Sequence, residues 1–192
     1  MGEIVLLRHG PTEWSLAGRR TSYTDLDLTP DGERQAREIG AAVARERAGR
    51  PFVAVFSSPR RRALRTAELA GLAVTGVDPD LAEWAYGEYE GLTTPQIRAR
   101  RPGWYQWTDG CPGGESPEQV GARLDRVLDR AAPLLERGDV ALVGHGHALR
   151  VAGARWVGLP PSAGGLFTLD TATVSVLGHD HGRRAIRRWN CG

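Results

Sequence analysis

The chain has 192 residues, of which 41% are apolar, enough to bury one sizeable core without disulfide or metal staples. A net charge of +2, with basic residues spread along the chain, argues against a nucleic-acid-binding arm or stripe. All 25 basic residues are Arg, which excludes a P-loop lysine, a Schiff-base lysine and a lysine general base, and leaves Arg to hold any bound anion.

In chain order, Ile4 to Leu7 is a short apolar run that predicts a buried strand, with Arg8 and His9 at its carboxyl end. Thr29-Pro30-Asp31 has the form of a helix start, Thr as N-cap and Pro at the first helical position, and apolar spacing carries the helix to about Arg47. Val53 to Phe56 predicts a second buried strand, running into Ser57-Ser58-Pro59 and then a helix from about Arg60 to Ala70. From Asp78 to Glu115 the chain is richer in Gly, Pro and aromatics and reads as an excursion rather than core, with a short helix over Pro95 to Arg101. Ser116-Pro117-Glu118-Gln119 reads as a capping box opening a helix to about Arg137. Val140 to Val143 predicts a third buried strand ending at Gly144-His145-Gly146-His147, followed by a helix over Ala148 to Val157. Thr173 to Leu177 and Ala185 to Trp189 predict late strands.

Alternating buried strands and helices imply one α/β domain over residues 1–192, its sheet covered on both faces and its ligand at the carboxyl ends of the strands. Three of those ends carry chemically capable groups: Arg8-His9, Ser57-Ser58 and His145. An unprotonated imidazole can attack phosphorus once the ester's charge is neutralised, and Arg8, Arg60, Arg61, Arg62 and Arg65 can neutralise it. A leaving oxygen also needs a proton. Glu83, Glu88, Glu90 and His145 are candidates, and residue types alone do not choose among them.

The motifs Leu7-Arg8-His9-Gly10 with Thr12, Ser57-Ser58-Pro59-x-x-Arg62-Ala63 with Thr66-Ala67, and Gly144-His145-Gly146 together resemble the three signatures of the histidine phosphatase superfamily, the phosphoglycerate-mutase-like proteins. They occur in the family's order, with Leu81-x-Glu83-x-x-x-Gly87-x-x-Glu90-Gly91 between the second and third. The resemblance implies a three-layer sandwich with a mostly parallel sheet, and a phosphohistidine mechanism needing no metal or other cofactor. It implies His9 as nucleophile, Arg8, Arg62 and His145 as the electropositive pocket, and Glu83 as proton donor. Thr21, Ser22 and Tyr86 match substrate-facing positions, Gly146 and His147 follow the second histidine, and Ser15 stands where many members carry a phosphate-binding Asn.

Departures from the mutases favour hydrolysis. Trp84 follows the matched Glu where mutases carry Arg, and the mutase Lys has no counterpart. Glu83-Trp84-x-Tyr86-Gly87-x-Tyr89-Glu90-Gly91-Leu92, Trp107-x-Asp109-Gly110-Cys111 and Gly144-His145-Gly146-His147-Ala148-Leu149-Arg150 resemble the branch of sedoheptulose-bisphosphatase and actinobacterial broad-specificity acid phosphatases. A small phosphorylated metabolite, a sugar phosphate or bisphosphate, is the implied substrate. The competing readings are a cofactor-dependent phosphoglycerate mutase and a non-catalytic phospholigand-binding module.

Simpler roles compete at several positions. Arg60, Arg61 and Arg65 read as a solvated helix face, and Glu88 and Glu90 as turn groups, Glu90 bonded to backbone. His147 is balanced between substrate contact and packing. Trp104, Tyr105 and Trp107 can either stack on a ligand or anchor the excursion. His179-Asp180-His181 lacks a third ligand at recognisable spacing, so no metal is expected. Two cysteines without metal or disulfide spacing, no leader pattern at Gly2 to Leu7 and no apolar stretch of spanning length point to the cytoplasm, with neither membrane nor nucleic acid as partner. The oligomeric state stays open, a homodimer included.

Overall fold

A computed structural model describes residues 1–192. Strands Ile4–Arg8 (β1), Ala54–Ser57 (β2), Gly76–Val77 (β3), Val140–Gly144 (β4), Val174–Asp180 (β5) and Arg183–Cys191 (β6) form one sheet in the order β3-β2-β4-β1-β5-β6. The β3–β2, β2–β4 and β4–β1 ladders are parallel, and β5 and β6 add antiparallel at the β1 side. The sheet is therefore mixed and mostly parallel, as the alternation of strands and helices predicts.

Seven α-helices accompany it: Glu13–Leu16 (α1), Pro30–Glu46 (α2), Arg61–Leu69 (α3), Thr94–Arg100 (α4), Gln106–Asp109 (α5), Pro117–Ala131 (α6) and Gly146–Trp156 (α7). Side chains alternate between sheet faces with period two, and the core divides accordingly. Val5, Leu7, Val55, Ala141 and Val143 pack on Ile39 and Val43 of α2 and Ala63 and Ala67 of α3. Ile4, Leu6, Ala54, Val140 and Leu142 belong to a larger cluster with Leu124, Val127 and Leu128 of α6 and Leu149, Ala152 and Trp156 of α7. These two layers on one sheet make the three-layer sandwich. No helix is long and apolar enough to cross a membrane.

The helix caps follow the sequence. Thr29 Oγ1 accepts from Gly32 N, and Ser116 and Gln119 form the reciprocal capping box. One helix is shorter than its periodicity predicts: α6 stops at Ala131 and residues Ala132–Glu136 tighten into a 3-10 helix. Pro133 has no N–H to continue the α-helical ladder. The short elements α1, α5 and β3 have no periodicity long enough to announce them.

The segment from Asp78 to Glu115 differs most from expectation. Trp84, Tyr86, Tyr89, Ile97, Trp104, Trp107 and Cys111 are all buried, and all belong to the larger core cluster. The segment crosses the end of the sheet and contributes core. The reason is its aromatics, which bury large areas while their polar atoms still find partners. Trp84 Nε1 donates to Glu115 O at 2.9 Å, Trp104 Nε1 to Gly110 O at 2.9 Å, and Arg123 of α6 binds the Glu115 carboxylate with both Nε and Nη2. Gly87, at φ +52°, sits where a Cβ would lie 2.2 Å from Pro112 O, so the backbones meet only because this residue is glycine.

Candidate active site

Strand register assembles the floor of the site. β1 and β4 run parallel with Arg8 opposite Gly144, so the next residues, His9 and His145, leave the sheet side by side. His9 N donates to Gly144 O at 3.0 Å, and the two imidazole centroids are 5.1 Å apart. Ser57 pairs with Val143 on the other side of β4, which delivers Ser58 Oγ to within 2.7 Å of His145 Nε2. The three strand ends singled out in the sequence thus meet.

His9 is buried, and its Nδ1–H donates to Gly10 O at 2.7 Å, leaving Nε2 as the basic nitrogen. Gly10 N in turn donates to Thr66 Oγ1 at 3.0 Å. A Cβ on Gly10 would lie 2.6 Å from Gly32 O, so the turn after His9 packs backbone to backbone against the start of α2. Burial, then the charges of Arg8 and Arg62, push the His9 imidazole down to about 3. At neutral pH it is an unprotonated, fixed imidazole.

Arg8 and Arg62 are the charges behind it. The Arg8 guanidinium bonds to Leu169 O, while its Nε is buried without a partner. Arg62, 1% exposed, donates Nε to His145 Nδ1 at 3.3 Å and its other nitrogens to the carbonyls of Thr21, Ser22 and Thr24. Accepting that bond at Nδ1 makes His145 Nε2 the protonated nitrogen. Burial and Arg62 hold the His145 imidazole well below its ordinary range, so it too is neutral. No carboxylate pairs with Arg8 or Arg62, which leaves positive charge uncompensated beside His9.

Glu83 enters from the 78–115 segment. Its carboxylate accepts from Trp84 N at 2.9 Å, Ala148 N at 2.9 Å and His147 N at 3.1 Å, the last two at the first turn of α7. Burial pushes this carboxyl up, but the adjacent His147 ring, then His145 and the Trp84 amide, pull it down further and hold it well below the usual range. The His147 ring lies 3.8 Å from Glu83, and its Nδ1 shares a hydrogen bond with the Tyr86 hydroxyl at 2.7 Å; burial pushes its own pKa down to about 4. His147 packs on Trp107 and Tyr86 and also borders the site.

A depression of about 120 Å³ opens over these groups, lined by Arg8, His9, Thr12, Ser15, Gly18, Arg19, Arg20, Thr21, Glu83, Tyr86 and His147. Arg62 and His145 lie beneath it. Ser15 borders it, though its hydroxyl already donates to Thr12 O at 2.9 Å and accepts from Thr12 N to cap α1. Thr21 borders it as well. Ser22 does not: it is buried, and its hydroxyl donates to Glu90 at 2.6 Å. Glu90 also accepts from Ser22 N and Thr24 N, the backbone-bonding role read for it from sequence. Gly146 touches no part of the depression; a Cβ there would lie 3.1 Å from the Arg8 guanidinium carbon, so glycine gives that side chain room. Arg19 and Arg20 are the wall residues that motif reading missed, and two adjacent arginines just before Thr21 were their only trace. Trp84 faces away, buried edge-on against Trp107 at 5.6 Å. A larger cavity, about 290 Å³, lies between α2, β2 and the end of α3, lined by Gly40, Arg47, Phe52 and Leu72 among others, and holds none of these groups. No three His, Cys, Asp or Glu side chains come together as a metal cage.

A neutral fixed imidazole, uncompensated guanidinium charge and a carboxyl in one small polar depression can capture a phosphoryl group and release it to water. The known proteins to which the chain is similar agree with that chemistry. It is 46% identical over 183 residues to an acid phosphatase of Mycobacterium tuberculosis, covering 95% of this chain and 89% of the relative. It is 38% identical over 183 residues to sedoheptulose 1,7-bisphosphatase of Saccharomyces cerevisiae, covering 81% of this chain and 67% of that one. Among solved structures, an open-reading-frame product of Mycobacterium tuberculosis superposes with a TM-score of 0.94 at 44% identity, over 99% of this chain and 97% of the other. A mycobacterial glucosyl-3-phosphoglycerate phosphatase bound to VO3 gives 0.84 at 30% identity, over 100% of both chains. The family model of the histidine phosphatase superfamily (branch 1) matches residues 4–192, so the chain belongs to that superfamily and is a phosphatase.

Proposed function

We propose that the chain hydrolyses a small phosphorylated metabolite of the sugar phosphate or bisphosphate class, with His9 as the nucleophile that carries the phosphoryl group and without a metal. One observation carries this reading: His9 is locked as a neutral imidazole, Nδ1–H on Gly10 O, beside two arginines that have no carboxylate partner. His9 Nε2 attacks phosphorus, and the bond from phosphorus to the ester oxygen breaks. Arg8 and Arg62 stabilise the charge that gathers on the nonbridging oxygens, and His145, with Nε2–H on Ser58 Oγ and Nδ1 on Arg62, holds Arg62 in place beneath them. Glu83 delivers a proton to the departing oxygen, and in the second step its carboxylate takes a proton from the water that attacks the phosphorus–nitrogen bond.

Glu83 is a carboxylate in the empty site, and an arriving phosphate dianion raises its pKa as a like charge, so substrate and proton enter together. In this reading residues 1–192 work as one unit, the 78–115 segment supplies selectivity, and Tyr86 and Thr21 contact the substrate's non-reacting part. The relatives sedoheptulose 1,7-bisphosphatase and glucosyl-3-phosphoglycerate phosphatase support the sugar phosphate class, and arginine in place of a metal supports activity in a chelator.

His9→Ala tests the whole reading. Turnover of p-nitrophenyl phosphate is expected to fall by roughly three to four orders of magnitude, while the wild-type protein keeps its rate in EDTA and yields phosphohistidine on acid quench. Full activity in His9→Ala sinks the proposal. A coupled assay with phosphoglycerate and 2,3-bisphosphoglycerate checks the mutase alternative, against which Trp84 stands at the position after Glu83.

A further inference from the structure

Arg20 has more donors than the fold uses. Its backbone is pinned on both sides, Arg20 N to Leu92 O at 2.9 Å and Gly91 N to Arg20 O at 2.8 Å, and the neighbouring Arg19 forms a β-bridge with Thr93. Its side chain lies over the rings of Tyr86 at 5.7 Å and Trp104 at 5.6 Å. Nη2 donates to Thr94 Oγ1 at 3.0 Å, whereas Nε is buried with no partner. Neither Arg20 nor Arg19 has a carboxylate within ion-pair distance, unlike the Arg34, Arg126 and Arg130 side chains on the helix surfaces. Arg20 still borders the same depression as His9 and Glu83, and its charge is felt there by His147 and Tyr86.

An aromatic bed and one hydroxyl would satisfy a structural cation, and a neutral side chain of similar length would reach Thr94 as well. A guanidinium with a buried orphan donor, facing a polar pocket already charged by Arg8, instead suits an anion that enters with the ligand. The anion to be hydrolysed sits with Arg8, Arg62, His9 and His145 on the floor. Arg19 and Arg20 belong to the wall, and Arg19 is exposed at the rim.

We propose that Arg20, assisted by Arg19, forms a second anion subsite that selects substrates carrying a phosphate or carboxylate besides the phosphate that is hydrolysed. The assignment rests on the phosphatase reading above and names the substrate class within it. Each charge-assisted hydrogen bond of this kind changes affinity by about ten- to a hundredfold.

The test compares kcat/KM for fructose 1,6-bisphosphate against fructose 6-phosphate as the phosphate pair, and for 3-phosphoglycerate against glycerol 3-phosphate as the carboxylate pair. In the wild-type protein the doubly anionic member of at least one pair is expected to be favoured; which pair responds tells phosphate from carboxylate. Arg20→Gln is expected to cut that preference at least tenfold, with a loss on the doubly anionic substrate that exceeds its loss on p-nitrophenyl phosphate. Arg20→Lys, which keeps the charge, should restore part of the preference. Arg19→Gln, at the exposed rim and so safe for folding, should lower it a few-fold in the same direction. Equal losses on all substrates in Arg20→Gln, or no preference in the wild type while His9-dependent turnover persists, overturn the subsite alone. Absence of His9-dependent phosphate release from any ester overturns the phosphatase reading instead.

Discussion

The floor and the wall of the depression are built by different means. The floor stands on parallel ladders: β2, β4 and β1 place Ser58, His145 and His9 through backbone bonds that any buried strand residue would make. The wall is held by individual side chains, Glu90 under Ser22 and Thr24, Arg123 on Glu115, and Arg20 between Tyr86 and Trp104. A ladder tolerates substitution around it, while a wall hung on single side chains is reshaped by one change. Chemistry on the first and selectivity on the second, as proposed above, would let changes in the wall alter the substrate without altering the reaction.

Arg62 joins the two regions, since it meets His145 below and three loop carbonyls above. Arg62→Ala is expected to lower kcat by roughly two to three orders of magnitude on every ester and to loosen residues 21–24, read by hydrogen exchange. Loss of rate without loosening would sever the link between floor and wall. Glu83→Gln sharpens the division of labour. About a hundredfold loss is expected on an alkyl phosphate, and much less on p-nitrophenyl phosphate, whose leaving group needs no proton. Equal losses would remove Glu83 from the proton path.

Gly87→Ala strikes the wall only. At φ +52° and against Pro112 O, the added methyl group should cost about 2 kcal/mol or more in urea unfolding, and it should change substrate preference more than the rate on p-nitrophenyl phosphate. The smallest effect is on the pH dependence of stability. His9 and His147 are held at about 3 and about 4, and His145 is also lowered, so the unfolded chain binds protons that the folded chain does not. Their stabilising contribution is complete above the unfolded value near 6.5 and is lost as pH falls from there toward 4. The slope is up to about 1.4 kcal/mol per pH unit for each imidazole. A flat stability between pH 6.5 and 4.5 would mean these rings are not buried neutral. The rate should correspondingly show no acid limb near pH 6.5.

The same division explains what could be read from sequence. Buried strands and capped helices announce themselves locally, so β1, β2, β4 and their following helices were legible, and with them Arg8, His9 and His145, whereas Arg62 was separated from Arg60, Arg61 and Arg65 by family resemblance. Glu83 came from family resemblance, because its place depends on contacts with Trp84, His147 and Ala148 that no local pattern encodes. Ser22 shows the limit of position matching: it stands where relatives meet substrate, yet Glu90, 68 residues away, claims its hydroxyl. The aromatics of 78–115 had no helical or alternating period, so only the anchoring role weighed for Trp104, Tyr105 and Trp107 pointed toward core, and Trp104 and Trp107 take it. Arg20 was invisible for a related reason, since its value lies in bonds it does not make.

The central place of β1 also governs when the catalyst comes into being. Its two neighbours are β4 and β5, so Ile4 waits for Val140 on one edge and Leu177 on the other. During synthesis His9 is made well before the strands that aim it, which arrive more than a hundred residues later. A nascent chain halted before Val140 carries His9 with no His145 and no sheet around it. The pairing of His9 with His145 is thereby withheld until β4 and β5 have been made.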